Sequence, residues 1–193
     1  MGKLQQELVA QLVALPPNEK LVIGDRLVRA LGGDPTPQVT GLPARRGRAD
    51  GGLDGRVPIL IQARMTREKL KRRADGQEWP VPLERSEFSW QAAVAGFNVK
   101  LEKTRFERDT LNAFVENLRR ETIFAGVIVT AAGLSPDAIA ELERHNNHDM
   151  DLCSLELADL LAGVVTCGNI RFLSDDLSEQ LRVNLREFLA TRA

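Results

Sequence analysis

Leu4, Leu8, Leu12 and Leu15 recur every three or four positions and predict a first helix, which Pro16-Pro17 ends. A second helix is expected after Asn18, a good N-capping residue type. Its apolar stripe is Leu21, Val22, Leu27, Val28 and Leu31, and Gly32-Gly33 is its stop. Residues 34–55 are rich in Gly, Pro and Arg, with room for one short strand near 38–42. The stretch 57–65 reads as a strand, with Ile59-Leu60-Ile61 as an apolar run of the kind buried on both faces. Pro58 removes a ladder donor, so it belongs at the strand's first residues or at a bulge. A polar, proline-punctuated connection then runs from 66 to 90.

Strand character returns at 92–101, and 105–120 is helical, with Phe106, Leu111, Phe114, Val115 and Leu118 as its inner stripe. A short β-branched strand at 126–130 precedes Ser135-Pro136-Asp137, which supplies a cap, an N1 proline and an acidic first turn for a helix over 136–145. A strand at 150–153, a helix at 154–162 and an amphipathic helix at 177–189 follow. Strands alternating with helices predict an α/β fold: a mixed central β-sheet flanked by helices, with helical N- and C-terminal extensions. The two strands before the first helix of this alternation are expected to pair as a hairpin with a long loop. The expected divisions are an N-terminal extension (1–17), a main domain (18–165) with a basic loop insertion at 66–90, and a helical tail (166–193).

Composition narrows this picture only a little. With 193 residues, 43% of them hydrophobic and 27% charged, the chain is long enough to bury one sizeable core. A net charge of −1 leaves any nucleic-acid partner to be held by a local patch. Cys153 and Cys167 form no CxxC, so no disulfide framework or zinc knuckle is expected, and two free thiols suit a reducing compartment. The polar residues scattered through 1–15 do not read as a signal peptide, and no apolar run is long enough for a bilayer. The expectation is a cytoplasmic protein with no membrane partner.

Chemistry concentrates in two short runs. Asp50-Gly51-Gly52-Leu53-Asp54-Gly55 sets carboxylates between glycines, where the backbone turns tightly and leaves an acid open to a ligand. Phe97-Asn98-Val99-Lys100 lies on the expected neighbouring strand, where alternation puts Asn98 and Lys100 on one face. If the hairpin forms, Asp54, Asn98 and Lys100 converge at one sheet end: an acid, a neutral oxygen ligand and an ammonium. Phosphodiester cleavage uses that mixture.

The run Asp50 to Gly55 resembles the D-G-G-[IV]-D-G signature of the Mrr-type restriction endonuclease family. Phe97 to Lys100, the helix from Arg105 and Gly126-Val127-Ile128-Val129-Thr130 resemble that family's (E/Q)xK strand, helix and G-[VI]-x-[VI]-T strand. Ser135-Pro136-Asp137-Ala138 is similar to the start of its next helix, and 157–161 to its last. The resemblance implies a restriction-endonuclease-like core of the PD-(D/E)xK superfamily. It implies Mg²⁺-dependent cleavage of DNA, with Mn²⁺ as an alternative ion, often in defence against foreign or modified DNA. It further implies Asp54 as metal ligand, Asn98 at the usual Glu or Gln position and Lys100 as the catalytic lysine. Asn98 is shorter than Glu and uncharged, which weakens a metal site.

Further candidates are Asp50, Glu102, which shares the face of Asn98 and Lys100 if the strand reaches it, and Gln62. The last opens Gln62-Ala63-Arg64, a rival (E/Q)xK match with arginine at the lysine position. One continuous strand from Asp54 to Gln62 cannot pair with itself, and arginine is a poor substitute for lysine, so Lys100 is preferred. Two basic clusters flank the acid run and are candidates for phosphate contact: Arg45, Arg46 and Arg48, then Arg67, Lys69, Lys71, Arg72 and Arg73, with Arg64 alongside. Trp79 and Trp90 are read as packing residues, and His145 and His148 as part of a polar loop. Cutting both strands of a duplex favours a homodimer or partner subunits. The alternative readings are a non-catalytic nucleic-acid-binding or assembly module on the same fold, and a structural protein whose Asp-Gly run is only a turn.

Overall fold

The computed structural model describes residues 3–35, 53–65, 68–72, 76, 78–82, 87–173 and 177–191, and the fold is that of these residues. Helices α1 (Lys3–Val13) and α2 (Pro17–Ala30) lead into a two-residue strand, β1 (Asp34–Pro35). Strand β2 (Gly55–Met65) is followed by β3 (Glu68–Arg72), β4 (Glu78–Pro82) and the long β5 (Glu87–Lys100). Then α3 (Arg108–Arg120), β6 (Ala125–Thr130), α4 (Pro136–Asn146), β7 (Asp151–Glu156) and α5 (Leu157–Ala162) alternate. Strands β8 (Thr166–Cys167) and β9 (Ile170–Phe172) and helix α6 (Leu177–Ala190) complete the described chain.

The central sheet is mixed and runs β7-β6-β5-β2-β9-β8, with β1 against the first residues of β2. β5, β6 and β7 are parallel, because helices carry the chain back between them, and the other pairings are antiparallel. β2 and β5 pair from Gly55↔Phe97 to Met65↔Glu87, so the expected hairpin is present. Its loop is not plain: β3 and β4 form a separate two-stranded ladder within it. The sheet also nearly closes on itself. Cys167 Sγ lies 3.2 Å from the Ser154 carbonyl of β7, and Asn169 Nδ2 lies 3.2 Å from Asp151 Oδ1.

Helices cover both faces. On one, Val57, Ile59, Phe97, Val127, Val129, Leu155 and Phe172 pack with Leu12 of α1, Leu27 of α2, Leu160 of α5 and Leu185 of α6. On the other, Leu53, Ile128 and Leu152 pack with Leu111, Phe114 and Leu118 of α3 and Ala138 of α4. The stripe predicted for α3 is buried as expected, although the helix starts at Arg108 and Phe106 bridges to Leu134 before it. Ser135 caps α4 by accepting from the Ala138 N–H at 3.3 Å.

Several elements differ from their expected form. α2 begins at Pro17, not after Asn18, because a proline's fixed φ suits the first helical position and the same pair that stops α1 starts α2. Its buried residues are Ile23, Gly24, Leu27 and Val28, whereas Leu21 and Val22 are exposed. Of the Ile59-Leu60-Ile61 run only Ile59 is fully buried, so the run is not covered on both faces. Pro58 lies inside β2, paired with Val94. Along the opposite edge it falls between the stretch paired by β1 (55–56) and that paired by β9 (59–61), where no described strand needs its missing N–H. Ser154 is in β7, and α5 starts only at Leu157. The β8–β9 hairpin, within a region read as helical, was not anticipated, and the strand expected near 38–42 lies outside the described residues. Among the described residues no helix is long and apolar enough to cross a membrane.

Candidate functional site

Asp54 sits where β2 begins. Its N–H donates to the Phe97 carbonyl at 2.8 Å, and its Oδ2 accepts from the Val99 N–H at 2.6 Å. The carboxylate thus extends the β2–β5 ladder by one rung beyond Gly55↔Phe97, standing in for a strand carbonyl. Gly55 makes this placement possible. A Cβ there would lie 2.6 Å from Val28 Cγ1 and 2.8 Å from the Asp34 carbonyl, so only glycine lets α2 and β1 close over the strand.

Half-burial raises the Asp54 pKa most strongly. The Val99 N–H, which favours the ionised form, opposes this, and the nearby Asp25 carboxylate on α2 adds to it. The result is a pKa pushed up from 3.8 to about 6. Asp25 was missed by sequence reasoning. Its only local signal is an acid set directly beside the buried Ile23-Leu27-Val28 stripe.

Asn98 and Lys100 flank the Val99 N–H that holds Asp54, and both are half-buried. Lys100 ends β5. Its Nζ donates to the Arg105 carbonyl at 2.8 Å and lies 3.6 Å from Glu102 Oε2. Glu102 is past the strand, in the turn that follows, and also accepts from Thr104 Oγ1 at 3.0 Å. The backbone therefore brings Asp54 onto the Asn98–Lys100 segment, while Glu102 and the Arg105 carbonyl fix the lysine head.

The other candidates fall elsewhere. Gln62 is on β2, eight residues beyond Asp54, which is about 27 Å along an extended strand. Its N–H donates to the Asn169 carbonyl at 2.8 Å. Lys69, Lys71 and Arg72 lie on β3, opposite Val81, Trp79 and Glu78. Asp50, Arg45, Arg46, Arg48, Arg67 and Arg73 lie outside the described residues. Trp90, on β5, is 41% exposed rather than packed. His145 is not in a loop but buried at the end of α4, with Nε2 3.2 Å from Asn112 Oδ1 and 3.3 Å from Glu141 Oε1. Burial, only partly opposed by Glu141, lowers its pKa. With His148, Arg119, Arg144 and Asp149 it lines an open cleft of about 480 Å³.

The cleft lies by the start of β7, whereas Lys100 pairs with Thr130 and Thr130 with Glu156 at the far ends of β6 and β7. It is therefore at the other end of the sheet from Asp54. Among the described residues no group of three or more His, Cys, Asp or Glu side chains is gathered to hold a metal. The Asp25 and Asp54 carboxylates are nonetheless hard donors of the kind Mg²⁺ and Mn²⁺ accept, and a cation would offset the repulsion between the two acids, whereas Asn98, by strand alternation, projects towards the α3 face rather than towards α2. Comparison with protein-family models, curated proteins and solved structures gives no match for the chain.

Proposed function

We propose that the chain is a metal-dependent endonuclease of restriction-endonuclease-like fold that cleaves DNA, in defence against foreign or modified DNA. The observation that carries this reading is Asp54, held by its carboxylate to the backbone between Asn98 and Lys100, with the charge of a second acid, Asp25, adding to its raised pKa. Asp54, with Asn98 on the α3 side or Asp25 on the α2 side, would hold Mg²⁺ or Mn²⁺, which when bound polarises a phosphate and acidifies its water. The chain's own residues do the rest. The Val99 N–H orients the Asp54 carboxylate, and the Arg105 carbonyl orients the Lys100 ammonium, which neutralises charge on the phosphate. Arg45, Arg46, Arg48, Arg67, Arg73 and the β3 residues Lys69, Lys71 and Arg72 supply phosphate contacts along the duplex. A homodimer, or partner subunits, would address the two strands.

The test is plasmid nicking in Mg²⁺ or Mn²⁺. Activity in the unaltered chain and a loss of at least about 100-fold in both Asp54→Ala and Lys100→Ala is the expected result. Cleavage that survives both changes removes this site from consideration. A second reading has its own observation: Glu102 occupies Lys100, and Asn98 lacks the usual charge. A silent nucleic-acid-binding or assembly module would then bind DNA in a salt-dependent way without cutting it. Its melting temperature would not respond to divalent ions, since a ligand of the native state must raise stability.

A further inference from the structure

The two cysteines of the chain stand fourteen positions apart in sequence, yet they meet where the sheet nearly closes: Cys167 packs against the core that holds Cys153, and its sulfur lies 3.2 Å from the carbonyl of Ser154, the next residue along β7. Cys153 is on β7, 2% exposed and facing the larger core. Cys167 is on β8, half-buried, with its sulfur also 3.2 Å from the Ser154 carbonyl. Both are free thiols. A sulfur packed against the backbone of the residue next to Cys153, with both side chains in one cluster, puts the two thiols within reach of a cross-link between β7 and β8.

We propose that Cys153 and Cys167 are an oxidant-responsive pair that forms an intramolecular disulfide with a peroxide, joining β7 to β8 and closing the sheet covalently. The two sulfurs have distinct roles. Interaction with Cys153 lowers the pKa of Cys167 despite its partial burial, while that same interaction and deep burial raise Cys153. Cys167 is therefore the accessible, more readily ionised member, and Cys153 resolves.

In the first step the Cys167 thiolate attacks a peroxide oxygen. An S–O bond forms, the O–O bond breaks, and hydroxide leaves and is protonated to water. Cys153 then gives up its proton and attacks the Cys167 sulfur. The S–S bond forms, the S–O bond breaks, and a second water departs. Two thiols and one hydrogen peroxide thus become one disulfide and two waters. The closed loop spans the thirteen residues 154–166, including α5. This proposal is independent of the nuclease reading.

The test treats the full chain with hydrogen peroxide under native conditions. The intact mass should fall by two hydrogens, thiols titratable in denaturant should drop from two to none, and dithiothreitol should restore both. A single proteolytic fragment pair should carry Cys153 joined to Cys167, and the oxidised chain should melt about 5 °C higher. Cys167→Ser, at the half-buried position, should abolish the mass loss, as should Cys153→Ala. Oxygen atoms added to one cysteine while the other stays free, or a bond between two chains on a non-reducing gel, would overturn the proposal.

Discussion

A carboxylate that burial and a second acid push up to about 6 is held at a cost to the folded chain. The folded protein binds the Asp54 proton more tightly than the unfolded chain does. Stability from this group is therefore present below 3.8, lost as pH rises towards about 6, and level above that. The loss at pH 7 is on the order of 3 kcal/mol. Asp54→Asn keeps an oxygen acceptor for the Val99 N–H and removes the charge. We expect it to raise the melting temperature at pH 7 by roughly 6–12 °C and to flatten the pH dependence between pH 4 and 6, as read by thermal melts across that range. An unchanged melting curve would mean that Asp54 is not strained by its surroundings. The residue itself was legible in the sequence because flanking glycines mark a tight approach. Asp25 was not, since a single acid within a helical pattern carries no sign of what faces it.

Elements read well where one periodicity spans enough residues. α3, β6 and α4 follow their apolar spacing and the Ser135-Pro136 cap closely. α2 shows the limit: its helical period was visible, but several faces satisfy it, and burial selects the one carrying Ile23 and Leu27. A feature of the α3 contact was invisible to periodicity altogether. Gly96 of β5 and Gly126 of β6 are register partners, and together they leave a shallow depression filled by Leu118 of α3. A Cβ on Gly126 would lie 2.7 Å from Leu118 Cδ1, 2.8 Å from Phe114 Cε1 and 2.9 Å from Leu152 Cδ2. Gly126→Ala should lower stability by about 1–3 kcal/mol, seen as a lower denaturant midpoint at constant slope. A neutral effect would show that α3 can lift off the sheet without loss.

At the scale of the molecule, the α/β layering with a mixed sheet was legible because strands and helices alternate through the middle of the chain. The near-closure of the sheet was not. β8 and β9 are two and three residues long; β8 pairs only with β9, and β9 owes its place to a partner more than 100 positions away in β2. No local pattern encodes such a pairing. The β3–β4 ladder was hidden for a related reason: its prolines and charges mimic an irregular loop, and a two-stranded ribbon needs no continuous apolar face.

β9 also shields a template. It lies along Ile59-Leu60-Ile61, whose free N–H and C=O groups would otherwise invite strands from other molecules. Gln62 N–H donates to Asn169 and Phe172 N–H to Val165, so alternation aims the Arg171 N–H at Leu60. Arg171→Pro would delete that donor at a half-buried position, sparing the core residues on either side. Light scattering that grows with protein concentration in this variant, and not in the parent chain, would show that a three-residue strand keeps the molecule from self-assembling into fibres.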